Sequence, residues 1–346
     1  VADPPNPRLH PRVTLGPGGE FDLIRALLGG VPRPGSGPDK GILVGPGDDC
    51  ALLEPGADPW AITVDMSVEG VHFRREWLAP EEVGWRAAAA GLSDLAAVAA
   101  EPVAVLLALA LPADEATEEW ATSLARGVAA AAASVGAALV GGDLTRSPGP
   151  LVVDVVALGR APRPVLRDGA RPGDELWVTG RLGTAGAAVR AWESGSPPVE
   201  SLRRAFARPT PRVAEARWLA DSGVVRALID LSDGLAGDVG HLAAASGCRA
   251  LVQASAVPVA PGVAAVVGDS ERALQLALTA GEDYELCLTA QPGALAPRAA
   301  EFRARFGVPL TRVGRLVEGE GVALECADGT VVPLGGGYSH FAGGSR

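Results

Sequence analysis

The sequence predicts a two-domain α/β protein, and three observations carry that prediction. Its 346 residues are more than one hydrophobic core ordinarily organises. Apolar runs of strand length recur between stretches of helical period along the chain. Residues 159–174, with three prolines and four arginines, break that pattern near the middle. The expected division is a disordered tail over 1–18, an N-terminal domain over 19–160 and a C-terminal domain over 161–346.

The elements follow in order. Residues 19–28 place Phe21, Ile24 and Leu28 at helical spacing, and Gly29-Gly30 stop the helix. Ile42-Leu43-Val44 and Ala51-Leu52-Leu53 read as strands around the turn Gly45-Pro46-Gly47-Asp48-Asp49. Adjacent aspartates there suit either a surface hairpin or a site that holds a cation between them. Residues 60–65 form a strand ending in Asp65, with Thr63 and Asp65 on one face because strand side chains alternate. That face is a hard-cation site or a solvated one. His72 follows between Val71 and Phe73, a packing residue or a ligand contact.

A helix is expected over 80–100, with Glu81 and Glu82 in its first turn complementing the dipole. Gly91, Ser93 and Asp94 inside it are poor helix formers, and such local inconsistencies concentrate at functional sites. Residues 103–111 read as a buried strand and 115–135 as a helix capped by Asp114. A strand over 137–140 then runs into Gly141-Gly142-Asp143, and 151–158 forms another strand. Beyond the boundary come a strand over 175–179 and a turn with Gly180, Gly183 and Gly186, where a helix N-terminus can receive a phosphate. A helix over 211–219 precedes a strand ending in Asp230 and the turn Leu231-Ser232-Asp233-Gly234, which opens a helix over 236–245. Ser232 or Asp233 serves as an N-cap or as a ligand; capping does not explain Asp230. A helix over 274–278, the turn Gly281-Glu282-Asp283-Tyr284-Glu285 feeding a strand, a helix over 297–306 and strands over 311–317 and 322–326 complete the pattern. The chain closes on Gly337-Tyr338-Ser339-His340-Phe341.

Composition narrows the function. With 48% apolar and 21% charged residues the chain is of soluble globular type, and no apolar run long enough to span a membrane lacks a charge, Gly or Pro. The first residues, Val1-Ala2-Asp3-Pro4-Pro5, lack the basic start and apolar core of a signal peptide. A net charge of −11 argues against nucleic acid or anionic membrane as the partner and suits divalent cations. Cys50, Cys248, Cys287 and Cys326 form no CxxC pair and lie in or near apolar runs, as expected of buried thiols in a reducing cytoplasm. The single lysine, Lys40, excludes the P-loop and the protein-kinase signature. Any nucleoside triphosphate bound here must be neutralised by metal ions and arginine, among which Arg167 is a candidate phosphate contact.

One theme recurs: an apolar run, a Gly or Ser, then Asp. Gly47-Asp48-Asp49, Thr63-Val64-Asp65 with Glu69-Gly70-Val71-His72-Phe73, Leu92-Ser93-Asp94-Leu95-Ala96, Gly141-Gly142-Asp143, Ile229-Asp230-Leu231-Ser232-Asp233-Gly234, Gly281-Glu282-Asp283-Tyr284-Glu285-Leu286 and Gly337-Tyr338-Ser339-His340-Phe341 stand in that order. Together they closely resemble the thiamine-monophosphate kinase family, from about Gly19 to Phe341. The resemblance implies the aminoimidazole-ribonucleotide synthetase-like fold, with an N-terminal mixed-sheet domain that binds ATP and metal and forms a homodimer, and a C-terminal α/β domain. It implies ATP-dependent phosphorylation of thiamine monophosphate to thiamine diphosphate. By motif, Asp49, Thr63, Val64, Asp65, Asp94, Asp143, Asp230 and Asp233 would hold several Mg2+ ions. Gly142, Asp143, Arg167 and Ser232 would hold ATP. His72, Glu282 and Tyr338 would contact the thiamine end. The family often has Ser or Thr where this chain has Val64, which can offer a metal only its backbone carbonyl.

That chemistry suits the residues. Two polyanionic substrates at an acidic site need magnesium to bridge carboxylates and phosphates. The acceptor is an anionic phosphate oxygen, so no general base is expected, and no Ser/His/Asp or Cys/His arrangement is evident. The rival expectations are another ATP-using enzyme of the superfamily and a non-enzymatic nucleotide- or metal-binding module. A selenophosphate synthetase would need an N-terminal Cys or selenocysteine with a nearby Lys, and a hydrogenase-maturation protein a C-terminal Cys where this chain has Gly-Gly-Ser-Arg.

Overall fold

A computed structural model describes residues 55–112 and 117–337, together with the backbone of Ile42–Val44 (β1) and Leu52–Leu53 (β2), which pair antiparallel. The expected helix over 19–28, the turn with Asp49, Cys50, Asp114 and the segment from Tyr338 onward lie outside the described residues. The chain divides into two compact units. One runs through Leu95 and resumes over Glu101–Pro162; the other takes Ala96–Ala100 and everything from Arg163.

The first unit is built on a four-stranded sheet of order β3-β6-β4-β5: Trp60–Val68 (β3), Glu101–Pro112 (β4), Ala138–Ser147 (β5) and Val152–Arg160 (β6). β6 pairs antiparallel with β3 and β4, and β4 pairs parallel with β5. Helix α1, Pro80–Ala97, packs on β6, with Gly91 in ordinary contact with Val155 and Ala157. Helix α2, Glu118–Ser134, crosses α1 closely: a Cβ on Gly84 would strike the Leu124 carbonyl, and one on Gly127 the Glu81 carbonyl. An Ala-rich sequence thereby makes a tight helical layer on one face of the sheet.

The second unit holds a seven-stranded sheet of order β13-β12-β9-β11-β7-β10-β8. Its strands are Glu175–Thr179 (β7), Val225–Asp230 (β8), Arg249–Gln253 (β9), Leu286–Ala290 (β10), Leu310–Val317 (β11), Gly321–Glu325 (β12) and Val331–Pro333 (β13). Only β12 with β9 is parallel. The helices are Thr184–Glu193 (α3), Glu200–Ala207 (α4), Val213–Asp221 (α5), Leu235–Ala245 (α6), Val263–Val267 (α7), Ser270–Thr279 (α8) and Ala299–Phe306 (α9). Leu176, Ile229, Leu235, Val239, Val252 and Leu316 join sheet and α6 in one core. β7 is buried along its whole length and β8 from Ala227 onward, and both keep the bounds read from the sequence.

Several expectations change. β3 continues three residues past Asp65, because the ladder to β6 continues to Val68↔Val152. α1 is unbroken through Gly91, Ser93 and Asp94; Ser93 is fully buried, so the small residues fit a helix enclosed on most sides. β5 runs straight through Gly141-Gly142-Asp143 instead of turning there, since β4 supplies its hydrogen-bonding edge. α2 begins at Glu118, with the Thr117 hydroxyl accepting the Trp120 N–H at 3.2 Å. α4 and β9 are short elements outside the expected set, although Leu202 and Phe206 of α4 stand at helical spacing. Cys248 and Cys287 are buried as expected, whereas Cys326 is half-buried.

Candidate functional site

In the first unit, Thr63, Asp65 and Ser67 face the helices, while Ile62, Val64 and Met66 point the other way. The Thr63 hydroxyl donates to Asp94 Oδ2 at 2.6 Å, so β3 and α1 bring together residues 31 positions apart. Asp65 stands two residues on, on the same face. Val64 is 61% exposed on the opposite face. Asp143 does not join this group. It lies in the row Met66–Asp154–Ala108–Asp143, on the far edge strand and the other face of the sheet, and Gly142 falls in the Asp65 row.

The turn after β3 holds His72 firmly. Gly70, at φ +80°, reverses the chain. The Glu69 carboxylate accepts from Leu151 N and from Arg75 Nε, and the Glu69 N–H donates to the Leu151 carbonyl. His72 Nδ1 accepts the Val68 N–H at 3.0 Å, which puts the ring proton of the neutral imidazole on Nε2, as a donor.

In the second unit, two turns lie backbone to backbone. The Leu231 N–H donates to the Glu285 carbonyl at 2.8 Å, Tyr284 N–H to the Leu231 carbonyl at 2.9 Å, and Glu282 N–H to the Ser232 carbonyl at 2.8 Å. A Cβ on Gly281 would overlap the Ser232 carbonyl, so only glycine permits this approach. Asp230, Ser232, Asp233 and Glu282 are thereby assembled at the ends of β8 and β10. Gly234, not Ser232 or Asp233, is the N-cap of α6, and it brings no side-chain cap.

Asp238, on the first turn of α6, belongs to this group and was missed in the sequence. It is 2% exposed and accepts the Asp233 N–H on Oδ2 at 3.0 Å. Burial first, then the Asp230 charge, push its carboxyl up to about 8, against the pull of Arg167 among others. An Asp in a first helical turn ordinarily complements the dipole, so nothing in the sequence marked it.

Two carboxylates of the 281–285 turn are anchors. Asp283 fills the N-terminus of α3, accepting from Gly183 N at 2.6 Å, Thr184 Oγ1 at 2.8 Å and Ala185 N at 3.3 Å. That helix end, which the sequence showed able to receive a phosphate, is therefore filled by the protein's own carboxylate. Burial pushes Asp283 up to about 6, although its three hydrogen bonds oppose this. Glu285 lies buried against Arg212 and Thr179. Glu282 is the one of the three acidic residues that the family resemblance assigns to a ligand.

Among the described residues no three His, Cys, Asp or Glu side chains are gathered closely enough to hold a metal by themselves. The donors present still fit magnesium. They are all oxygen, they come in small sets, and magnesium binds through one or two carboxylates plus substrate phosphates and water. Among the described residues no helix is long and apolar enough to cross a membrane.

Residues 47–161 match the N-terminal domain of AIR synthase related protein and residues 171–327 its C-terminal domain. The thiamine-monophosphate kinase of Salmonella typhimurium is 38% identical over 94% of this chain and 98% of that protein. The crystal structure of thiamine-monophosphate kinase from Stenotrophomonas maltophilia K279a is 37% identical, with a TM-score of 0.78 over 92% of this chain and 98% of that one. A structure of AaThiL complexed with AMPPCP and TMP is 30% identical, with a TM-score of 0.73 over 93% of this chain and 96% of the other.

Proposed function

The chain belongs to the thiamine-monophosphate kinase family of AIR synthase related proteins, and on that premise we propose how its residues divide the work of phosphoryl transfer. The enzyme phosphorylates thiamine monophosphate to thiamine diphosphate, with ATP as co-substrate. In our reading the transfer is direct, in line and assisted by magnesium. Thr63, Asp65 and Asp94, with Asp49 and the Val64 carbonyl, would hold ions in the first unit, Asp143 would do so apart from them on the other face of the sheet, and Asp230 and Asp233 would hold ions in the second unit. Magnesium, when bound by these oxygen donors, would neutralise phosphate charge. Ser232, Gly142, Asp143 and Arg167 position ATP. The His72 Nε2–H, Glu282 and Tyr338 hold the thiamine end.

The observation that carries this reading is the 2.8 Å bond from Glu282 N–H to the Ser232 carbonyl. It ties a residue assigned to the acceptor to one assigned to ATP, as transfer between two bound substrates requires. The reactive oxygen of thiamine monophosphate is already anionic, so the chain needs to orient it and not to deprotonate it. After incubation with γ-labelled ATP and denaturation, the label should sit on thiamine diphosphate and not on protein. Label retained on the protein would instead mean a phosphoenzyme.

In this proposal the N-terminal domain, 19–160, takes dimerisation and a share of metal and ATP binding, and 161–346 adds Asp230 and Asp233 for metal and Arg167 and Ser232 for ATP. Ile62, Val64 and Met66, exposed at 65%, 61% and 54% on an edge strand, support a homodimer through that sheet face. Sedimentation should find a dimer that Val64→Asp dissociates; a wild-type monomer at micromolar concentration contradicts it. A cytoplasmic location belongs to the same reading, because ATP is the phosphoryl donor.

A further inference from the structure

We propose that Arg212 is a positioning residue for the acceptor: through Glu285 it fixes the loop on which Glu282 stands. The inference rests on the assignment of Glu282 to the thiamine end. Arg212 lies at the start of α5, 73 positions from Glu285. Its Nε donates to Glu285 Oε2 at 2.9 Å and its Nη2 to Oε1 at 2.5 Å, a two-pronged contact in which the Glu285 side chain is 7% exposed. The Thr179 hydroxyl donates to Oε2 at 2.6 Å while accepting the Leu286 N–H at 2.8 Å. Nη1 reaches Glu215 Oε1 at 3.3 Å, so the guanidinium is itself held on a second side.

The loop needs such an anchor. Glu282 and Tyr284 sit at φ +70° and +49°, two non-glycine residues in the left-handed region within three positions. Conformations of that kind persist only where the surroundings over-determine them. Residues alternate here: 283 and 285 are pinned inward, and 282 and 284 take the unfavourable backbone. Releasing Glu285 leaves the left-handed pair without one of its restraints, and the Glu282 carboxylate moves with it. The Asp230 side shares three backbone hydrogen bonds with the loop but has further restraints of its own. Asp230 pairs with Leu286 across β8 and β10, and Asp233 is bonded to Asp238. Loss of the Arg212 contact therefore acts on acceptor binding and spares ATP and magnesium.

Arg212→Lys keeps the charge and loses the planar fork. In the full-length protein, steady-state kinetics should show KM for thiamine monophosphate raised about tenfold in Arg212→Lys, with kcat within about threefold of wild type and the KM for ATP and magnesium activation unchanged. Thr179→Val removes one hydrogen bond to Glu285 and leaves the ion pair, so it should raise the same KM about threefold; it decides the matter should Arg212→Lys fold poorly. Glu282→Gln separates the two levels. An unchanged KM in Glu282→Gln removes the Glu282 assignment and the inference with it. A raised KM there, with an unchanged one in Arg212→Lys and Thr179→Val, removes the inference alone. Equal rises for acceptor and ATP also overturn it, since they mean general disruption.

Discussion

The two acidic groups are made differently. Thr63, Asp65 and Asp94 stand on regular secondary structure, where the alternation of β3 and the packing of α1 set their positions. Asp230, Ser232, Asp233 and Glu282 stand on or beside turns, and those turns are held by each other's backbone and by Asp238, Asp283 and Glu285. In the first group a carboxylate needs only the sheet beneath it. In the second, half of the acidic side chains hold the others in place. Acidic residues in one short motif can therefore have opposite jobs, and only their partners tell them apart.

The largest effects should come from the carboxylates assigned to ligands. Asp94→Asn retains an oxygen for the Thr63 hydroxyl and removes the charge, and Asp233→Asn retains the backbone bond to Asp238. Each should lower kcat by at least about 100-fold, roughly 3 kcal/mol of transition-state stabilisation, while shifting unfolding by less than about 1 kcal/mol. Matched losses of turnover and stability would erase the distinction between ligand and anchor.

The anchors should show the reverse pattern. Glu285→Ala takes the two-pronged partner from the half-buried Arg212 cation, leaving it only Glu215, and should cost about 2–3 kcal/mol in denaturant unfolding. Glu282→Ala, three residues away, should cost under about 1 kcal/mol. Equal costs would mean that the loop does not divide its carboxylates as described.

A finer test uses pH. Burial, only partly opposed by hydrogen bonds from Gly183, Thr184 and Ala185, raises Asp283 to about 6 from an ordinary 3.8. The folded state thus keeps this proton to higher pH than the unfolded chain does. The stability this provides is full below about pH 4 and is lost as pH rises through about 6. The unfolding free energy of wild type minus that of Asp283→Asn should fall by about 3 kcal/mol over that window and stay level above pH 7. A flat difference would place Asp283 outside the α3 terminus in solution.

What was legible in the sequence follows the same division. The bounds of β7 and β8, and the shared face of Thr63 and Asp65, come from local periodicity, which a sequence displays directly. The extent of β5 does not, because a Gly-Gly-Asp run continues as strand only where β4 offers a ladder. The roles of Asp283 and Glu285 are set by partners 100 and 106 positions away, so their letters look like those of ligands. Asp238 is hidden for the same reason: its partner, the Asp233 N–H, exists only once the turn before α6 has formed.

The most direct test of the account is ADP release from ATP and magnesium in the presence of thiamine monophosphate, of thiamine, or of no acceptor. The account predicts release with thiamine monophosphate alone, matched by an equal amount of thiamine diphosphate. Release that ignores the acceptor, or none with thiamine monophosphate present, would contradict it.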